Sequence, residues 1–234
     1  MGGGVDLSKK YNDPVEKMVL RYMESIYLNE LYWLLSNIKS KCEELFQKAK
    51  VPEKGYVIQV DMQVHSIIKS IVSDSSQVSY LIEPRSPAKN EMEQKYVFRK
   101  ERGEFLKNIF KDIEIKEMTD RKLRDSIEHF DERLDNLVHT IAKKSRTKSR
   151  TLAYNIVLSE KSALQPFPLP IRVYISAEKK FYNMNWSIDL GKIYDECTHM
   201  LSAISELDQM RKASDPGGLL VYIPRIVNDI WRTS

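Results

Sequence analysis

The sequence predicts a mainly α-helical fold with a small β-hairpin region in its C-terminal third and a further helix closing the chain. Three observations carry that expectation. Long segments repeat apolar residues at three- and four-residue steps, the period of one helix face. The period falls to two only between residues 152 and 188, as a pleated strand requires. Turn-forming clusters, PEKG at 52–55, EPRSPAKN at 83–90 and SDPGG at 214–218, separate these segments. With 234 residues, 42% hydrophobic and 30% charged, the chain has the make-up of a globular protein that can bury a core.

The first helix is signalled by Asp13 as N-cap, Pro14 at the first helical position and Glu16 three residues after the cap. It is expected to run to about Lys48, with Val15, Met18, Val19, Tyr22, Ile26, Trp33, Leu34, Ile38 and Leu45 forming one packing face. Val57, Val60, Val64, Ile67, Ile68, Ile71 and Val72 predict a second helix, although β-branched residues also suit a strand. A third runs from about Asn90 to Phe110 through Met92, Tyr96, Phe98, Phe105 and Leu106. A fourth opens near Thr119 or Asp120, with Leu123, Ile127, Phe130, Leu134, Leu137, Val138 and Ile141 as a core stripe.

Leu152, Tyr154, Ile156 and Leu158 then alternate as a strand, and the prolines of QPFPLP interrupt it. IRVYIS and FYNMNWSID read as the two arms of a hairpin around AEKK, with Ile171, Val173 and Ile175 on one face. Asp189 can cap a helix whose inner side holds Leu190, Ile193, Cys197, Met200, Leu201, Ile204 and Leu207. A short helix from Pro224 to about Trp231 ends the series.

Charge is uneven. The net +4 depends on KKSRTKSR, where Lys143, Lys144, Arg146, Lys148 and Arg150 stand without an acid. Such a run suits a polyanion contact and equally a solvated connector. MGGGVDLSKK has no apolar core of a signal peptide, and Asp6 stands where a myristoylation motif wants Ser or Thr, so residues 1–12 read as a disordered leader. Only Cys42 and Cys197 occur, without CxxC spacing, and no apolar run approaches a membrane span; a reduced, cytoplasmic setting is expected.

Phosphate-loop, dinucleotide, zinc-protease and serine-hydrolase signatures are absent from the sequence. Cys197 and His199 point about 200° apart on a helix, so they do not share a metal. His65 and His139 are lone helical histidines, which are usually structural. That leaves RDSIEHFDERLD at 124–135, where Arg124 offers a fixed charge and His129 a proton exchanger near neutral pH. On one helix the two diverge by about 140°, whereas Arg121, Asp125 and His129 follow at four-residue steps. Asp125 therefore orients His129 in a catalytic reading, with Arg124 reaching phosphate in a cleft shared with a second subunit. In the bland reading Arg124 pairs with Glu128 and the whole stretch is a salt-bridged helix surface.

RDSIEH, with Arg124, Asp125 and His129, resembles the motif of the HEPN superfamily (higher eukaryotes and prokaryotes nucleotide-binding): Arg, often a polar residue directly after it, a short spacer, then His. RGEFLKNIF, preceding RKLRDSIEHFDERLD, is similar to a largely uncharacterised HEPN-like group of bacterial helical proteins. The resemblance covers about residues 14 to 142 and implies a HEPN-like helical bundle over 13–150, followed by the strand and hairpin region at 151–188 and C-terminal helices at 189–234. It further implies a homodimer, and in active members an endoribonuclease needing no metal or other cofactor. There Arg124 and His129, oriented by Asp125, cleave RNA through its 2′-hydroxyl, with Lys143, Lys144, Arg146, Lys148 and Arg150 as the RNA contact. Such proteins belong to toxin or defence systems and meet a neutralising protein partner; inactive members only bind, as dimerisation or partner scaffolds. Two features depart from a plain member: the β region, and five acids against two arginines across 124–135.

Overall fold

The computed structural model describes residues 14–50, 55, 57–58, 62–120, 129–144 and 151–207. The chain divides into two compact units, one drawn from Met1–Trp33, Leu81–Lys111 and Ser202–Ser234, the other from Leu34–Tyr80 and Asp112–Leu201. Helices α1 (Pro14–Lys48), α2 (Met62–Ile82), α3 (Glu93–Ile109), α4 (Phe130–Lys144) and α5 (Leu190–Ser205) make the described part mainly helical. Strands β1 (Val57–Ile58), β2 (Leu152–Leu158), β3 (Leu169–Ile175), β4 (Lys180–Asn183) and β5 (Trp186–Asp189) form one sheet in that order. Among the described residues no helix is long and apolar enough to cross a membrane. The expected cap at Asp13, SDPGG and the helix at 224–231 lie outside the described residues.

Buried positions of α1 step by alternating threes and fours through Leu28, Leu31, Leu35, Ile38, Cys42 and Leu45, with Leu34 buried beside them and Ala49 continuing the series just past the helix end. That 3.5-residue mean is the spacing of a continuous apolar seam. It corrects the expected face, because Ile26 and Trp33 fall between the buried positions and are exposed, Trp33 by 56%. The second helix is also shorter than its apolar run. Gly55 takes a φ of 82°, and the two residues Val57 and Ile58 pair antiparallel with Leu158 and Val157 as β1. In α2 proper, Val64, Ile67, Ile68, Ile71 and Val72 are buried as expected. Ser75 and Ser76 are buried with them because their hydroxyls donate to the carbonyls of Ile71 and Val72, at 2.7 and 3.0 Å.

In the first unit α3 is tied to the loop that precedes it. The Arg99 guanidinium donates to both Glu91 carboxylate oxygens, at 2.9 and 2.5 Å, and Lys107 reaches Glu83 at 2.8 Å. A Cβ at Gly103 would stand 2.7 Å from Pro84 Cδ and 2.8 Å from the Ile82 carbonyl, so only glycine lets the helix lie this close to the loop.

The second unit is built on the sheet. β1 and β2 are antiparallel, β2 and β3 parallel, and β3–β4–β5 an antiparallel meander. The expected two-armed hairpin is thus corrected to part of a mixed five-stranded sheet. FYNMNWSID breaks into two strands because Met184 turns at a φ of 56°. A parallel pair needs a crossover, and residues 159–168 supply it.

Strict alternation also fails, for one reason. Asn155 and Arg172 sit opposite each other in β2 and β3, between the pairs Tyr154–Ile171 and Ile156–Val173, and both adopt left-handed φ, 52° and 55°. Each strand therefore changes face at that point. Ala153, Leu158, Val173 and Ile175 share one cluster with Ile156, covered by Leu164 and Phe167 of the crossover. Leu152 and Tyr154, expected inside, are exposed instead, and Ile171 leaves the Val173–Ile175 face. Across the opposite face the register aligns Val157, Tyr174, Phe181 and Ile188, all buried.

Helices close over that row. His65 of α2 stands edge-on to Phe181 at 6.2 Å, and Phe46 of α1 meets Tyr194 of α5 at 5.9 Å. Asp189 caps α5 as expected, accepting the Lys192 N–H at 3.0 Å through Oδ1. Whether a helix opens at Thr119 or Asp120 as expected turns on residues 121–128, which lie outside the described ones. Thr119 lies in a turn, its hydroxyl donating to the Ile115 carbonyl at 3.0 Å, and Asp120 follows outside any helix.

The seam on α1 makes a direct forecast. Ile38→Ala removes a fully buried side chain and should cost about 2–5 kcal/mol, whereas Ile26→Ala should stay within about 0.5 kcal/mol. Urea unfolding of both variants tests this, and equal losses would place the buried register elsewhere.

Candidate functional site

His129 is the motif residue whose placement is described. Its carbonyl accepts the Arg133 N–H at 3.1 Å, so it stands at the mouth of α4, directly before Phe130. Its side chain is 58% exposed, and Nδ1 lies 3.9 Å from the equally open Glu132 carboxylate. A pair so exposed contributes at most about 1 kcal/mol, and the ring is free to meet solvent or a ligand. Arg124 and Asp125 lie outside the described residues, as do Arg146, Lys148 and Arg150; Lys143 is exposed and Lys144 ends α4. Of the three catalytic candidates, His129 is the one described, and it faces solvent.

The stripe following it behaves differently from the expected core. Phe130, Leu134 and Leu137 are half-buried, while Val138 and Ile141 are 57% and 44% exposed. The first turns of α4 are held against the sheet by two crossed arginine–aromatic contacts. The Arg172 guanidinium of β3 lies 3.9 Å from the Phe130 ring centre, and Arg133 of α4 lies 4.9 Å from that of Trp186 in β5. Beyond Leu137 the apolar side chains have no such cover.

Arg172 leads to a polar group that the sequence did not announce. Its own N–H donates to Asn183 Oδ1 at 3.3 Å, and Asn183 is fully buried. Across the strand pair stands Asn155, and beside both stands His65. Burial first, then the Arg172 charge, holds the His65 pKa below its ordinary 6.5, with the Asn155 backbone pulling the other way. Neither ring nitrogen of His65, nor Asn155 Oδ1, has a hydrogen-bond partner among the described residues. Reading His65 as a lone structural histidine overlooked this neighbourhood; the only sequence hints were an arginine within a strand that is otherwise apolar and an asparagine, a residue that tolerates left-handed φ.

Other polar clusters are fully engaged. Glu196 accepts three backbone N–H groups, from Lys116, Glu117 and Met118 at 2.8, 2.9 and 3.0 Å, which fixes the turn standing where a helix start was expected. Glu117, its pKa raised chiefly by burial, accepts the Asp189 N–H at 3.3 Å. Both thiols are buried, and burial pushes Cys42 up to about 12 and Cys197 in the same direction, so neither is a ready nucleophile. Among the described residues no three His, Cys, Asp or Glu side chains group to hold a metal. In the first unit an open cleft of about 580 Å³ is lined by Arg85, Ser86, Asn90, Lys95 and the Glu91–Arg99 pair.

No family model matches the chain, nor does a curated protein or a solved structure.

The depressed His65 pKa has a signed consequence. Above about pH 6.5 the imidazole is neutral in both folded and unfolded chains. As pH falls from 6.5 toward the lower folded value, the unfolded chain takes up a proton that the folded one does not, so stability is lost. Wild type should lose more stability between pH 7 and pH 5 than His65→Phe, measured by urea unfolding at each pH. Parallel pH profiles would contradict it.

Proposed function

We propose that this protein acts by binding, as a helical scaffold that pairs with a second copy of itself through the projecting half of α4. What carries the reading is the exposure of Val138 and Ile141 on a stripe whose earlier members are half-buried. Exposed apolar residues at helical spacing favour a helical partner. Charge favours a second copy: α4 begins with Asp131, Glu132 and Asp135 and ends with Lys143 and Lys144. Two copies set antiparallel about Val138 place each acidic end near a basic end and oppose the helix dipoles. Membership of the HEPN superfamily is part of the same proposal, since a twofold pair is the assembly that family implies.

A second reading, metal-independent RNA cleavage, is favoured by one observation: the His129 ring is open to a substrate at the start of the same helix. His129 would take the 2′-hydroxyl proton, and Arg124 from the other copy would steady the phosphoryl charge. The bases at 143–150 would then contact RNA with a steep salt dependence.

Light scattering across a micromolar concentration range tests the first reading. A dimer is expected for wild type and a folded monomer for Val138→Asp combined with Ile141→Asp; a wild-type monomer throughout contradicts it. The second reading expects single-stranded RNA, and not DNA, to be cut in EDTA, with activity lost in His129→Ala and in Arg124→Ala. Cleavage undiminished in His129→Ala would remove it.

A further inference from the structure

The polar group around Arg172 is out of balance. A half-buried guanidinium offers five donors, yet among the described residues Arg172 has no carboxylate partner, and its one printed hydrogen bond comes from its backbone N–H. Its neighbours do not correct this: the ring nitrogens of His65 are shielded from solvent with no close hydrogen bond, the Asn155 backbone being the one polar group that pulls on the ring, and the amide oxygen of Asn155 is shielded and unpartnered. Buried polar atoms left this way are destabilising, and native structures fill such places with water or an ion.

The backbone gives the same indication. Two neighbouring strands take left-handed φ at the same level, at Asn155 and Arg172. Glycine would hold that conformation without strain, whereas other residues are kept in it by their surroundings. The register sets Asn155 opposite Arg172 across the strand pair, and His65 feels both the Arg172 charge and the Asn155 backbone. Phe130, stacked at 3.9 Å, holds the guanidinium on one face and leaves its donor edge unclaimed.

We infer that Arg172, His65 and Asn155 form a binding site for one small protonated oxyanion, inorganic phosphate. The charge of the site sets the sign of the ligand: one fixed cation with no acid beside it among the described residues. Its hydrogen-bond pattern sets the kind. Arg172 supplies donors, neutral His65 supplies one donor and one acceptor, and Asn155 Oδ1 is an acceptor that needs a proton from the ligand. Monohydrogen phosphate carries both acceptor oxygens and a P–OH; sulfate at neutral pH has no proton to give. The half-exposed Arg172 is the side of entry, and a side-chain rotation brings the inner atoms into contact. This site is separate from the pairing face of α4, and its test does not depend on the oligomeric state.

Binding and protonation are linked here. An anion next to His65 favours imidazolium, so the ligand raises the pKa of this histidine, and by reciprocity binds more tightly as pH falls through that pKa. The experiment is calorimetric titration of the full chain with inorganic phosphate, sulfate or chloride at matched ionic strength, alongside an NMR titration of the His65 ring. Phosphate should bind at least tenfold more tightly than sulfate, chloride should give no saturable heat, and the His65 titration should move upward in phosphate alone. Arg172→Gln should weaken phosphate at least tenfold. Asn155→Asp, which keeps the size and the tolerance for left-handed φ while placing a carboxylate against the ligand, should do the same and serves if the arginine variant does not fold. Equal affinity for sulfate and phosphate, an unmoved His65 titration, or phosphate binding unchanged in a folded variant would each overturn the inference.

Discussion

The second unit depends on one constraint, the paired left-handed residues Asn155 and Arg172 in adjacent parallel strands. A strand alternates its side chains with a period of two, so one residue taken out of extended geometry moves everything after it to the other face. Were only one strand to do this, the two would present mismatched faces. Because both do it at the same level, the register survives, and Ala153, Ile156, Leu158, Val173 and Ile175 gather under the crossover while Val157 and Tyr174 turn toward the helices. The same twist carries Arg172 to Phe130 and so gives α4 its anchor. Fold and polar group have a common origin.

Several polar groups elsewhere in that unit are paired. Glu196 is buried and makes three hydrogen bonds to backbone donors. Asp189 caps α5 and pairs with Lys180 at 3.6 Å. Even the hydroxyl of Tyr182, pushed up to about 12 by burial and by Glu178, donates to that carboxylate at 2.9 Å. The His65 nitrogens and Asn155 Oδ1 lack close partners, as do the buried hydroxyls of Ser79 and Ser159; what sets the first group apart is the Arg172 charge acting on it.

What the sequence made legible was local. Pro14 and Asp189 mark ends that short-range chemistry determines, and elements begin or end there, while the prolines at 84 and 87 fall in the loop between Ile82 and Glu93. The buried seam of α1 was partly visible, but Ile26 and Trp33 were indistinguishable from Leu28 and Leu31 without knowing which way the helix faces. Nothing short-range announces that Asn155 and Arg172 will twist together, since that follows from pairing between segments separated by the crossover. The outward turn of Val138 and Ile141 was hidden for a related reason: an apolar stripe records that something covers it, and not whether the cover is the same chain. The candidate site divides similarly. His129 lies on an open surface, Arg124 and Asp125 fall outside the described residues, and the group around Arg172 assembles from α2, β2 and β3, which no linear spacing encodes.

The most direct measurement compares two substitutions at Asn155 by urea unfolding. Glycine adopts left-handed φ without a steric penalty, so Asn155→Gly should keep stability within about 0.5 kcal/mol of wild type. Valine is poorly suited to that conformation, so Asn155→Val should lose about 1–3 kcal/mol or more, despite its high strand propensity. Valine matching or exceeding wild-type stability would show an extended residue at 155 and remove the twist on which the account rests.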